Sequence, residues 1–172
     1  MSLYENVVQM KAMLHNLDRW LAKAGEHAKS KGFDPNVLVQ SRLAPDQYPL
    51  VRQVQSACGS AKFVAARLSG REAPSHADTE STFDEVRARV AKVTEYLATF
   101  GEKDFENSAT RKIPLPFLPG GTKGMIGSKY VAQFATPNFY FHVTTAYAIL
   151  RHNGVDLGKM DFIGTALDII DV

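Results

Sequence analysis

Hydrophobic positions recur at alternating steps of three and four in three separate segments of this chain. The first stripe is Val7, Met10, Leu14, Leu17, Leu21 and Ala24, with Lys11, Asp18, Arg19, Lys23 and Glu26 off it and Gly32 as a stop. Sustained for about five turns, it predicts a long helix with one buried face. The second is Leu50, Val54, Ala57, Ala61, Val64 and Leu68, with Pro49 suited to a first helical position and Gly70 to a C-terminal cap. Its small residues Ala57, Gly59, Ser60 and Ala61 let a neighbouring helix approach closely. The third is Phe83, Val86, Val90, Val93, Leu97 and Phe100; Thr82 and Glu85 have capping-box spacing at its start, and Gly101 follows its end.

A fourth segment has a different pattern. From Tyr130 to Leu150 the chain carries no charged residue, which predicts a helix buried on most sides. The spacing starts it at Ser128 as cap and stops it at Gly154. Pro137 lies inside, and an interior proline removes a backbone hydrogen bond and clashes one turn back. A kink or break is therefore expected at Thr136–Pro137, with the stronger helix from Asn138 to Asn153. On that portion Asn138, His142, Thr145, Ile149 and His152 share one face. A membrane span needs about 20 predominantly apolar residues. Gln133, Thr136, Asn138, His142, Thr144 and Thr145 are costly against lipid, so a buried helix of a bundle is the expected reading.

The connections are long. Asp34-Pro35 reads as cap and first turn of a short extra helix, and Pro114, Pro116 and Pro119 permit at most an edge hairpin within 110–127. Such connections exceed what up-and-down neighbours need, which predicts an all-α four-helix bundle with long crossover loops. In the tail, Phe162 and Ile163 are expected to dock on the bundle. No internal repeat or boundary divides residues 1–172, so one domain is expected.

Composition narrows the function classes. The chain has 172 residues, enough to bury a core without staples, and a net charge of +2 with both signs interspersed, which gives no nucleic-acid footprint. One cysteine, Cys58, excludes an internal disulfide and suits a reducing cytoplasm. The N-terminal MSLYENVVQMKAML lacks the basic start and unbroken apolar run of a signal peptide. A cytoplasmic protein without membrane or nucleic-acid partner is the expectation.

Few residues offer chemistry. The glycine-rich run at 120–129 fails the phosphate-loop pattern, because Ser128 precedes Lys129 and no strand leads into it. His15, His27 and His76 have no paired spacing that would supply two metal ligands from one helix turn, and read as solvated. Cys58 reads as a small half-buried filler, and His152 as a cation at a helix C-terminus. His142 is different: it sits between Phe141 and Val143 in the least polar part of the chain, where an imidazole needs a partner. It is either a satisfied core histidine or a residue facing a pocket. Asn138 and Thr145 would line the same wall, and Arg52 and Gln53 are the nearest polar residues of the second helix.

The opening MSLYENVV, the segment SRLAPDQYPLVRQVQSACGSAK (residues 41–62), the loop LPFLPGGT and the segment PNFYFHVTTAYAILRHNGV together cover most of the chain. On these segments it resembles the DinB/YfiT-like superfamily of bacterial four-helix proteins, and within it a branch of uncharacterised proteins named only as a domain of unknown function. Metal-binding members use three histidines, one on the second helix and two, four residues apart, on a later one. The resemblance puts His142 on the last of these positions, Asn138 four residues before it, and Gln53 near the second-helix position. Thr144-Thr145 stands where a Gly-Gln often follows. One histidine with two carboxamides binds zinc or nickel weakly. No metal and no cofactor is therefore expected, and Gln53, Asn138 and His142 should be joined by hydrogen bonds or water.

Two function classes stay open. One is a metal-free bundle with a pocket for a small molecule or a partner around His142, Asn138, Gln53 and Thr145. The other is an enzyme of the kind the superfamily implies, thiol-transferase-like or isomerase-like, with His142 as general base or metal ligand. The resemblance and the aromatic excess at Phe139, Tyr140 and Tyr147 also imply a homodimer built on the first and last helices.

Overall fold

The computed structural model describes residues 2–117, 121, 123–165 and 170. Positions 118–120 and 122 of the glycine-rich loop, and 166–169 of the tail, lie outside the described residues. Four long helices make the body: α1 (Tyr4–Lys31), α3 (Leu50–Ser69), α4 (Phe83–Ala98) and α6 (Thr136–His152). Short elements fill the connections: α2 (Asn36–Val39), a 3₁₀ turn (Glu102–Phe105), strands β1 (Lys112–Pro114) and β2 (Gly124–Ile126), α5 (Gly127–Tyr130) and α7 (Lys159–Ile163). Helix α3 packs along both α6 and α4, and α1 packs along α4, α3 and α6. Every position of the three predicted stripes is buried in the resulting core.

The helix ends follow local chemistry. Thr82 Oγ1 accepts from the Glu85 N–H, and the Glu85 carboxylate accepts from the Thr82 N–H at 2.9 Å, completing the capping box. These contacts, with others from Ser81, hold the Glu85 carboxyl down at about 2. Gly32 and Gly70 end α1 and α3 in the left-handed conformation that glycine adopts without penalty. Pro49 is the residue before α3, in extended conformation, so it caps the helix instead of opening its first turn. Asp34 accepts from the Asn36 N–H at 2.9 Å and starts α2. The two strands pair antiparallel, Ile113 opposite Met125, the edge hairpin that the prolines permit.

The fourth helix departs from expectation in two ways. Ser128 does not cap it: α5 begins one residue earlier, and the Gly127 and Ser128 N–H groups donate to the carbonyls of Arg111 and Ala109. A Cβ at position 127 would run into the Ser108 carbonyl, so only glycine allows this approach. Nor does the chain break at Thr136–Pro137. Val131–Ala135 forms a π-helical turn and Pro137 falls in the first turn of α6. The i→i+5 pattern widens the turn that precedes the proline, and a proline in a first turn has no N–H bond to lose.

Of the two tail side chains expected to dock, Phe162 does so. Phe162 stacks on Trp20 (5.4 Å between centroids) and meets Tyr147 edge-on (5.6 Å), while Trp20 Nε1 donates to the Asp161 carbonyl at 2.9 Å. Ile163, predicted to dock as well, remains 39% exposed, because α7 is a single short turn and directs one side chain at α1. Among the described residues no helix is long and apolar enough to cross a membrane.

Candidate functional site

The polar residues of α3 and α6 meet where these helices pack. His142 Nδ1 lies 2.8 Å from Gln53 Oε1. Gln53 is fully buried and its Nε2 donates to the Tyr48 carbonyl at 3.0 Å. The amide orientation is thereby fixed, and because an amide oxygen only accepts, His142 Nδ1 must carry the proton. Nε2 then holds the lone pair. It has no partner among the described residues and is not among the buried unsatisfied atoms, so it is open to the adjoining cleft. Burial pushes the His142 imidazole below its ordinary 6.5, which keeps it neutral at physiological pH.

The other two expected residues do not join this pair. Asn138 Nδ2 donates to Ser60 Oγ at 2.7 Å, and that hydroxyl donates to the Ser56 carbonyl at 2.7 Å. Asn138 therefore lines the cleft beside His142 but is tied to the small-residue face of α3. Thr145 is buried and its hydroxyl donates to the Phe141 carbonyl at 2.7 Å. It turns toward its own helix and does not line the cleft. Gln53 stands behind the imidazole, outside the lining.

The cleft measures about 480 Å³ and runs between α3 and α6, closed by the loop at 71–81 and by Phe117. Gly59 leaves room in its floor: a Cβ there would meet nothing within 4 Å. One end is aromatic, with Tyr130 and Phe134 stacked (6.0 Å) and Phe117 tilted onto Phe134 (5.5 Å). Lys62 and Arg67 reach in from α3 and both lie over the Phe63 ring, at 4.6 and 4.9 Å from its centroid. Lys62 Nζ donates to the Pro74 carbonyl at 2.8 Å, and Arg67 Nη1 to the Tyr130 hydroxyl at 3.0 Å. Burial, with Arg89 nearby, lowers the Lys62 pKa.

The loop that closes the cleft is fastened by ion pairs. Arg89, buried on α4, holds Asp78 and also Glu80 (3.2 Å), and Gln55 donates to Glu80 at 2.7 Å. His76, expected to be solvated, lies at the cleft margin, 3.5 Å from Lys62 Nζ, and its pKa is lowered by partial burial and then by Lys62. Sequence reasoning missed Lys62, Arg67 and Arg89, since charges off an apolar stripe read as a solvated face. Cys58, expected to be half-buried, is completely enclosed, and burial pushes its thiol up to about 12. Two of the aromatic residues behind the dimer expectation are used internally: Phe139 is fully buried, and Tyr147 packs on Trp20.

The donor set does not fit a transition metal. Of His142, Asn138 and Gln53 only His142 offers an imidazole nitrogen, while the Gln53 amide is enclosed and the Asn138 amide is tied to Ser60, and carboxamides are weak ligands for such ions. Among the described residues no group of three or more His, Cys, Asp or Glu side chains comes together.

Comparison with known proteins agrees with this architecture. The pattern that defines the family described as "Domain of unknown function (DUF1993)" matches residues 3–163. A crystal structure of a DinB family member protein from Shewanella denitrificans superposes with a TM-score of 0.91 at 47% identity, covering 99% of this chain and 96% of that one. No curated protein matches the chain. With its bundle, its hairpin insertion and a family match over nearly the whole length, the chain belongs to this domain-of-unknown-function family within the DinB/YfiT-like superfamily.

Proposed function

We propose that the protein is a metal-free binding bundle whose small ligand occupies the cleft between α3 and α6. The observation that carries this reading is the His142–Gln53 pair, which presents an accessible Nε2 lone pair to a cleft of about 480 Å³. That size lies within the range of small-molecule sites, which combine apolar walls with a few oriented polar groups. Asn138 supplies a second polar group on the same wall. A thermal-shift screen with divalent metals and low-molecular-weight thiols, followed by organic fragments, tests it. Fragments should raise the midpoint of the native protein and not that of His142→Ala. Near-stoichiometric zinc or nickel in untagged protein, measured by elemental analysis, would overturn the metal-free reading.

A second reading is favoured by one observation: burial keeps His142 neutral at physiological pH, the state a general base needs. In that reading His142 Nε2 takes a proton from a bound substrate in a thiol-transfer or isomerisation reaction. The protein's own thiol is no nucleophile there, because Cys58 is enclosed and its pKa is about 12. Any thiol must come with the substrate. Turnover of glutathione with an electrophile, lost in His142→Ala, would favour the enzyme.

A further inference from the structure

The cleft contains a charge imbalance that the His142 pair does not explain. Three cations reach it, Lys62, Arg67 and Arg89, against a single carboxylate among the described residues of the lining, Asp78. Asp78 is held by Arg52 at 3.3 Å and by Arg89. Arg89 is further neutralised by Glu80. Among the described residues neither Lys62 nor Arg67 has an acidic partner. Both are nonetheless drawn out of bulk water, onto the same Phe63 ring. A partly desolvated cation without a directly paired carboxylate is costly and attracts an anion.

Resting on the binding reading above, we infer that the ligand is a small aromatic carboxylate. Its carboxylate sits between Lys62 and Arg67, and its ring lies against Phe117 and Phe134. Arg67 Cζ lies 4.9 to 5.7 Å from the ring centroids of Phe63, Phe117 and Tyr130. A guanidinium presents several N–H groups in a planar fork that matches a carboxylate. One of them already serves the Tyr130 hydroxyl. Lys62 contributes a point charge beside the same ring, 4.6 Å from its centroid. At the far end, His142 Nε2 accepts a hydrogen bond from any hydroxyl or amide N–H the ligand carries.

The test is a titration of the full chain, followed by amide NMR, with benzoate, benzamide and benzamidine, which share one ring and differ in charge. Benzoate should bind at least about tenfold tighter than benzamide, with shifts at Lys62, Arg67 and Phe134, and benzamidine should not bind. Arg67→Gln and Lys62→Gln, each checked for a native spectrum, should reduce benzoate to the benzamide level and leave benzamide unchanged. Equal affinity for benzoate and benzamide, with both lost in His142→Ala, would overturn the carboxylate assignment and leave the pocket standing. A preference for benzamidine, or benzoate binding indifferent to both Gln variants, would also overturn it. Failure of all three probes to bind would remove the carboxylate site and the pocket together.

Discussion

Replacing Gln53 by Met isolates the interaction that orients His142. Methionine fills the volume with little strain, so the loss is that of two hydrogen bonds. His142 Nδ1–H loses its acceptor at 2.8 Å in a half-buried setting, and the Tyr48 carbonyl loses a donor at 3.0 Å. An unsatisfied buried group costs about 1–3 kcal/mol. Tyr48 is 52% exposed, so water replaces much of its share, and the total comes to roughly 2 kcal/mol. For a domain of this size that lowers the melting midpoint by about 4–8 °C. Urea denaturation followed by circular dichroism gives the free energy, and ¹⁵N shifts of the imidazole give the tautomer. Wild type should show a protonated Nδ1, and the variant a mixture. Adding His142→Phe removes the orphaned N–H, so the double variant should be about 1 kcal/mol more stable than the sum of the singles. A midpoint unchanged within about 1 °C, or a wild-type imidazole protonated at Nε2, would refute the reasoning.

Three further outcomes are expected. Because burial holds His142 below 6.5, the unfolded chain takes up the proton first as pH falls. Stability is therefore full above 6.5 and declines as pH drops toward the depressed native value; urea midpoints at about pH 7.5 and 5.5 should show the loss, and His142→Gln should reduce it. Phe162→Ala should cost roughly 2 kcal/mol, less than a fully enclosed phenylalanine, and should red-shift the emission of Trp20, the one tryptophan. An aromatic disulfide reagent should leave Cys58 untouched in native protein and titrate it fully in denaturant, since the thiol is both enclosed and raised to about 12.

Much of the architecture was legible because three stripes repeat at the helical period and their ends carry caps. The course of the fourth helix was less so. Pro137 signals a disturbed hydrogen-bond ladder, but whether it kinks or widens the helix depends on neighbours far along the chain. His142 and Gln53 stood out because polar groups in apolar surroundings need partners. Thr145 was misplaced by spacing alone, since its hydroxyl satisfies itself on the Phe141 carbonyl. Lys62 and Arg67 were passed over because their semi-enclosed setting comes from Phe63 and from Pro74, Phe117 and Tyr130, residues distant in sequence that only the folded chain brings together.

Tyr130, Phe134, Asn138 and His142 all face the cleft at intervals of four. In an uninterrupted α-helix each such interval overshoots a revolution by about 40°, so three of them would wind the last side chain about 120° around the cylinder. The wide turn at Val131–Ala135 needs more residues per revolution and cancels part of that drift, bringing the four into a single file. It acts as a phase corrector. Returning that turn to ordinary α winding with no residue removed would let the full drift of about 120° carry the Tyr130 end out of line with the imidazole, while both halves stay helical.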